Sequence, residues 1–222
     1  TECLKNKKIG LVTGPIQKSN IIEGGFKTFQ GHTEWIQKRT KSKNVVMLLS
    51  AKNIKVALAT THIPLTEVAK NIRKAKLVET IQTLHSGLKT KFKIKHPSIT
   101  VLGLNPHAGE DGKIGTEEIK KINPAVKVCR DMGINASYAI SADTAFTAKK
   151  LKQTDVYLAM YHDQALPVLK ALSFGEAVNI TLGTGIVRTS VDHGTALDIA
   201  GKMKPNLGSI KEAIKAAEVQ LK

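Results

Sequence analysis

The sequence predicts an α/β fold: a mixed, largely parallel sheet layered with helices. Three observations carry this. Short, near-continuous apolar runs at 45–49, 56–60, 99–104 and 156–160 are what strands buried on both faces look like. They alternate with helical patterns, clearest over 64–86, where Leu65, Val68, Ile72, Leu77, Ile81 and Leu84 recur at near-helical spacing. Turn-forming clusters, among them Thr13-Gly14-Pro15 and the glycines at 109, 112 and 115, punctuate the two.

In chain order, 8–12 reads as the first strand, ending at Thr13. A helix follows to about Arg39, with Thr33 as its cap and His32 and Thr33 at its N-terminus, a place suited to anions. The runs at 45–49 and 56–60 pair through the turn Ala51-Lys52-Asn53. One long amphipathic helix over 64–86 leads to the strand at 99–104. A helix near Thr116 carries Glu117 and Glu118 in its first turn, and Pro124 breaks it or starts another. A weak strand at 138–140 precedes the strand at 156–160 and a further apolar run at 177–182. Ser209 and Glu212 form a capping box for a terminal helix over 210–221.

With 222 residues, 41% of them hydrophobic, the chain can bury a substantial core. No apolar run approaches the ~20 residues that cross a bilayer, so a cytoplasmic protein with no membrane partner is expected. Net charge of +16 invites nucleic acid as a partner, but the composition argues against it. Of the 34 basic residues only Arg39, Arg73, Arg130 and Arg188 are arginines, and aromatics, at 4%, are not interleaved with the basic runs. Cys3 and Cys129 are too few and too distant for a disulfide framework or a thiolate metal site. The opening at Thr1, just before a strand pattern, suggests a fragment or processed product.

His62, His107 and His162 each follow an apolar run directly, so three strand ends on one sheet edge can bring them together. Three imidazoles suit Zn²⁺, Co²⁺ or a similar ion with one position open; the plainer reading is three separate hydrogen-bonded histidines. His85 and His96 lack that context and read as surface residues. Lys170, Asn179 and Arg188 can grip a phosphate or carboxylate, Arg188 as the bidentate member. Asp143 and Asp163 can orient a histidine or a substrate ammonium, with helix capping the plainer role for Asp143.

The stretches TGPIQK (13–18), GHTEW (31–35), TTHIPL (60–65), GLNPHAGEDGKIGTEE (103–118), ADTAF (142–146), MYHDQALPVLK (160–170), NITLG (179–183) and RTSVDHGTALDIAG (188–201), taken together, resemble the 4-hydroxythreonine-4-phosphate dehydrogenase family of pyridoxal phosphate synthesis. HGTALDIAGK (193–202) is also similar to the adenosine-binding loop of isocitrate and isopropylmalate dehydrogenases. The resemblance implies their two-domain architecture, with 1–25 and 156–222 in the terminal, cofactor-side domain and 26–155 in the central one. It implies NAD- or NADP-dependent oxidation and decarboxylation of a small phosphorylated substrate, assisted by a divalent ion such as Zn, Co or Mg. The implied metal ligands are His62, His107 and His162. The implied substrate contacts are His32, Thr33, Lys170, Asn179 and Arg188, with Asp143 and Lys170 as the catalytic pair. The cofactor contacts would be His193, Gly194, Thr195, Ala196 and Asp198, and the site would be completed across a homodimer. A relative acting on a phosphorylated sugar acid such as 4-phosphoerythronate, or an inactive truncated fragment, is the alternative. Departures from the family pattern are roughly a hundred residues missing before the first motif, Gly183-Thr184-Gly185 in place of Gly-Leu-Pro, and Ser141 where a proline is commoner. The glycine-rich change should loosen the loop before Arg188.

Overall fold

The computed structural model describes residues 2–52, 54–173, 175–202 and 204–222. Its strands are β1 (Gly10–Thr13), β2 (Val46–Ala51), β3 (Ile54–Leu58), β4 (Ile99–Val101), β5 (Val156–Ala159), β6 (Val178–Leu182) and β7 (Val187–Val191). They form one sheet in the order β1-β7-β6-β2-β3-β5-β4. β1 runs parallel to β7, and β5 runs parallel to both β3 and β4, while β2 is antiparallel to β3 and β6, and β6 to β7. The sheet is mixed, as expected. Strands from both expected sequence segments hydrogen-bond into it.

The helices are α1 (Glu2–Lys5), α2 (Lys18–Glu23), α3 (His32–Thr40), α4 (Leu65–Asn71), α5 (Lys74–Lys91), α6 (Asn123–Asp131), α7 (Ala148–Gln153), α8 (Leu166–Leu172) and α9 (Gly208–Leu221). A π-helical turn, Glu118–Ile122, runs straight into α6, so Pro124 neither ends the helix nor opens a separate one. Period-two alternation decides which side chain meets which layer. Val156 and Leu158 join Leu77, Ile81, Leu84 and Leu88 of α5 in one core layer; Tyr157 and Ala159 face the other, with Leu166 and Leu169 of α8. Each fully buried leucine contributes about 1.5–3 kcal/mol of apolar burial. Among the described residues no helix is long and apolar enough to cross a membrane. Both cysteines are free thiols, and burial pushes that of Cys129 up to about 11, which leaves it unreactive.

Several local expectations are corrected. The helix over 64–86 is two helices, because Ile72 and Arg73 are extended between α4 and α5. The break lets Val68 and Ile72 both reach the core that α5 lines. α3 begins at His32 with Gly31 as its cap, so Thr33 lies in the first turn and caps nothing. Ser209 and Glu212 form no capping box. The Ser209 hydroxyl donates to the Ala177 carbonyl and accepts from Asp192 N–H, tying α9 to the ends of β6 and β7, while Glu212 pairs with Lys215. Residues 138–140 contribute only a single bridge, Ile140 to Leu102. The turn joining β2 and β3 includes Asn53, which lies outside the described residues. His85 is half-buried, its Nδ1 without a hydrogen-bond partner, whereas His96 is exposed.

Candidate active site

Because β3 and β5 are parallel neighbours, their carboxyl ends emerge side by side. The pairing continues past the strands: Ala59 and Thr60 N–H donate to the Ala159 and Met160 carbonyls. Thr60 Oγ1 donates to the Met160 carbonyl as well, at 2.7 Å. This brings His62 and His162 together, ring centroids 5.8 Å apart and tilted by 46°. His162 Nδ1 lies 2.6 Å from Asp163 Oδ1, so the carboxylate orients the ring and leaves Nε2 free, as outer partners of metal-bound histidines do. Gln164 fastens the turn, accepting from Met160 N–H and donating to the Gly103 carbonyl at the end of β4.

The third expected histidine stands apart. Beyond β4 the chain enters a turn, Pro106–Gly112, in which His107, Ala108, Gly109, Glu110 and Asp111 all have left-handed φ between 43° and 83°. Left-handed backbone costs roughly 1–2 kcal/mol at each non-glycine residue. His107 is exposed there, close enough to Asp143 that its charge lowers that carboxyl. The hydrogen bond from Ser141, at 2.5 Å, lowers it more. Asp143 lies outside any helix and caps none; the N-cap position of α7 is Thr147. Among the described residues no three His, Cys, Asp or Glu side chains form a set that would hold a metal ion.

A second cluster stands where β1, β6 and β7 meet. Arg188 of β7 is 2% exposed, yet no carboxylate among the described residues forms an ion pair with it. Its Nη1 donates to Thr181 Oγ1 at 3.1 Å and its Nη2 to Thr13 Oγ1 at 2.9 Å, while its Nε is buried without a partner. Asn179 Oδ1 on β6 is likewise buried and unpartnered. Burial brings the guanidinium down to about 10, and Glu34 opposes that fall. Buried polar groups are normally satisfied, so the Arg188 Nε and the Asn179 Oδ1 are exceptions that call for an explanation.

Electrostatics link the two clusters. Burial and then the Arg188 charge lower the His32 pKa; burial, Lys18 and His162 lower that of His62, against Glu34. Both rings are therefore neutral at pH 7 and free to accept a proton or bind a metal. The folded values lie below the 6.5 of the open chain, so the unfolded state takes up protons first as pH falls. The stability of the fold should be full above about pH 7 and decline as pH falls below 6.5. Thermal melts across that range should show this, with a shallower decline in His32→Asn/His62→Asn; an unchanged slope in that variant would contradict it.

Lys170 does not reach this cluster through any hydrogen bond. It pairs with Asp192 at 3.1 Å and lines a cavity of about 750 Å³, together with His193, Gly194, Thr195 and Ala196. Four of the five expected cofactor contacts thus share one cavity, and Asp198 is not part of its lining. The structure adds Thr13, Lys18, Glu34, Thr181 and Asp192 to the residues expected. The signal for Lys18 and Glu34 lies inside the motifs TGPIQK and GHTEW. The signal for the two threonines is their register beside Arg188.

Residues 1–217 match the family model described as pyridoxal phosphate biosynthetic protein PdxA. The chain is 52% identical over 215 residues to a 4-hydroxythreonine-4-phosphate dehydrogenase of Enterobacter sp. (strain 638), an alignment that covers 97% of this chain and 65% of the relative. It is similar to a solved 4-hydroxythreonine-4-phosphate dehydrogenase from Klebsiella pneumoniae, with a TM-score of 0.86 and 34% identity, covering 95% of this chain and 64% of that one. Isocitrate dehydrogenase from Methylococcus capsulatus shares the fold alone, with a TM-score of 0.51 and 13% identity over 95% of this chain and 69% of that one. The chain thus spans just under two thirds of the length of its curated relatives.

Proposed function

Since this chain belongs to the PdxA family of pyridoxal phosphate biosynthetic proteins, we propose that it carries the substrate-, metal- and cofactor-binding portion of a cytoplasmic 4-hydroxythreonine-4-phosphate dehydrogenase. The observation that carries the reading is Arg188, a buried cation with no carboxylate partner among the described residues and an unused donor. A phosphate or carboxylate of the substrate would complete it, with Asn179, Thr13 and Thr181 around it and His32 and Thr33 at the α3 N-terminus.

His62 and His162 fit a divalent ion by donor chemistry and by the Asp163 contact. With His107 they form the proposed ligand set, completed in a homodimer. Such an ion, when bound, supplies Lewis acidity at a substrate hydroxyl. The chain's own residues do the rest. Neutral His32 accepts or holds a proton beside the bound substrate, and Glu34 and Lys18 balance charge around His62. Asp143 and Lys170 are the proposed catalytic pair. NAD or NADP would occupy the 750 Å³ cavity through His193, Gly194, Thr195 and Ala196, with Asp198 near that loop. With NAD or NADP as the hydride acceptor, oxidation of the hydroxyl carbon would give a β-keto acid, which would lose CO₂. The division of the chain at residues 25 and 155 is part of the same proposal.

The test is NADH formation at 340 nm with NAD, Zn²⁺ and the phosphate ester of 4-hydroxy-L-threonine. Turnover of the ester with none of the unphosphorylated alcohol is expected. Turnover of 4-phosphoerythronate alone would move the substrate to a sugar acid, and failure of the chain to bind either ester or inorganic phosphate in calorimetry would sink the reading.

A further inference from the structure

Five consecutive left-handed residues at 107–111, four of them carrying a Cβ, persist only where the surroundings over-determine them. Backbone bonds close the turn, Ala108 N–H to the Asn105 carbonyl and Ile114 N–H to the Gly109 carbonyl, and against it lies buried Glu118, 2% exposed, on the π-helical turn; such turns often occur at functional sites. Its Oε1 accepts from the N–H groups of Leu104 and Asn105 at 2.7 and 2.8 Å, and its Oε2 accepts from Asn105 Nδ2 at 2.9 Å. Glu117 takes the same amide at 2.8 Å and Thr116 N–H at 3.2 Å. The carboxylate sits between the approach to the turn and its middle: a Cβ on Gly109 would lie 2.7 Å from its Oε2, and one on Gly103 3.1 Å from its Oε1. Among the described residues no Lys or Arg pairs with it. A buried carboxylate held only by the donors of one loop is a costly way to gain stability, but a rigid way to fix a loop.

We propose that Glu118 is a positioning residue: by clamping Leu104 and Asn105 it holds the left-handed turn and so sets where His107, two residues on, presents its imidazole. The metal consequence rests on the function proposed above; the effect on His107 itself does not. Two variants separate the contacts. Glu118→Ala removes all three hydrogen bonds. Glu118→Gln keeps the two at Oε1 and turns an amide towards the Asn105 amide, and it decides the matter should the alanine variant not fold.

The measurements are the His107 imidazole ¹⁵N resonances, amide exchange at Leu104 and Asn105, and Zn²⁺ affinity by chelator competition. The expected result is a shifted, broadened His107 signal and faster exchange at both amides in Glu118→Ala. Zn²⁺ affinity should fall by roughly 10–100-fold, matching His107→Ala, with no further loss in the double variant. Glu118→Gln should fall between. An unshifted His107 signal in both variants, or losses that add in the double variant, would overturn the proposal. A wild-type chain that binds no Zn²⁺ would count against the proposed function, and the His107 resonances would then decide the role of Glu118 alone.

Discussion

Arg188→Met should abolish anion capture while leaving the fold as stable as before, or more so. Burial lowers the guanidinium from 12.5 to about 10, which corresponds to a cost on the order of 3 kcal/mol for keeping it charged. Its two hydrogen bonds to threonine hydroxyls offset part of that, at about 0.5–1.5 kcal/mol each. Methionine occupies similar volume without the charge and adapts to irregular cores. The midpoint of thermal unfolding should therefore stay level or rise by up to about 5 °C. Affinity for inorganic phosphate or a phosphorylated substrate should fall by about 100-fold or more, since a buried charge-assisted contact contributes about 2–5 kcal/mol. A variant that unfolds well below the parent and still binds phosphate would show that Arg188 is structural.

The second large effect is expected at the loop between β6 and β7. Gly183 has φ of +84°, and a Cβ there would run into the Asn44 carbonyl and approach Thr83 Cγ2 to 3.0 Å. Neither neighbour can yield freely, because Asn44 Nδ2 donates to Thr83 Oγ1 and Lys76 holds the Asn44 side-chain oxygen. Gly183→Ala should cost about 3 kcal/mol from backbone strain and overlap combined, lowering the unfolding midpoint by about 6–12 °C. Gly185→Ala is the control: its nearest neighbour, Leu4 Cδ2, is 3.8 Å away, so its midpoint should move by no more than a few degrees. Equal losses in the two would rule out this account. The loop is accordingly not loose, contrary to what Gly183-Thr184-Gly185 suggests. Thr184 Oγ1 donates to the Ile186 carbonyl and Lys7 Nζ to the Gly185 carbonyl.

What the sequence makes legible is whatever a local pattern encodes. Val156 to Met160 is apolar throughout and its strand is buried on both faces; His62 and His162 directly follow such runs, and parallel pairing makes them neighbours. His107 shares their context but not their position, because no residue pattern announces five left-handed residues when only one is glycine. Ser209 and Glu212 have capping-box spacing, yet the serine finds a better partner in the Ala177 carbonyl, since α9 packs against the sheet there. Thr13 and Thr181 are invisible as site residues in sequence: two ordinary strand threonines acquire a role only when register sets them beside Arg188. Lys170 is legible as a functional cation, but its partner Asp192 depends on how α8 meets the end of β7.

The parallel pairing of β1 with β7 has a kinetic consequence. Thr13 and Arg188 are 175 residues apart in sequence, so joining them closes a loop whose entropy cost is about 4.6 kcal/mol. Before that closure the arginine has no threonine on its β1 side. During refolding, the helices and the local β2–β3 hairpin form early, and recovery of phosphate binding should track the slowest phase, when the two ends of the chain meet.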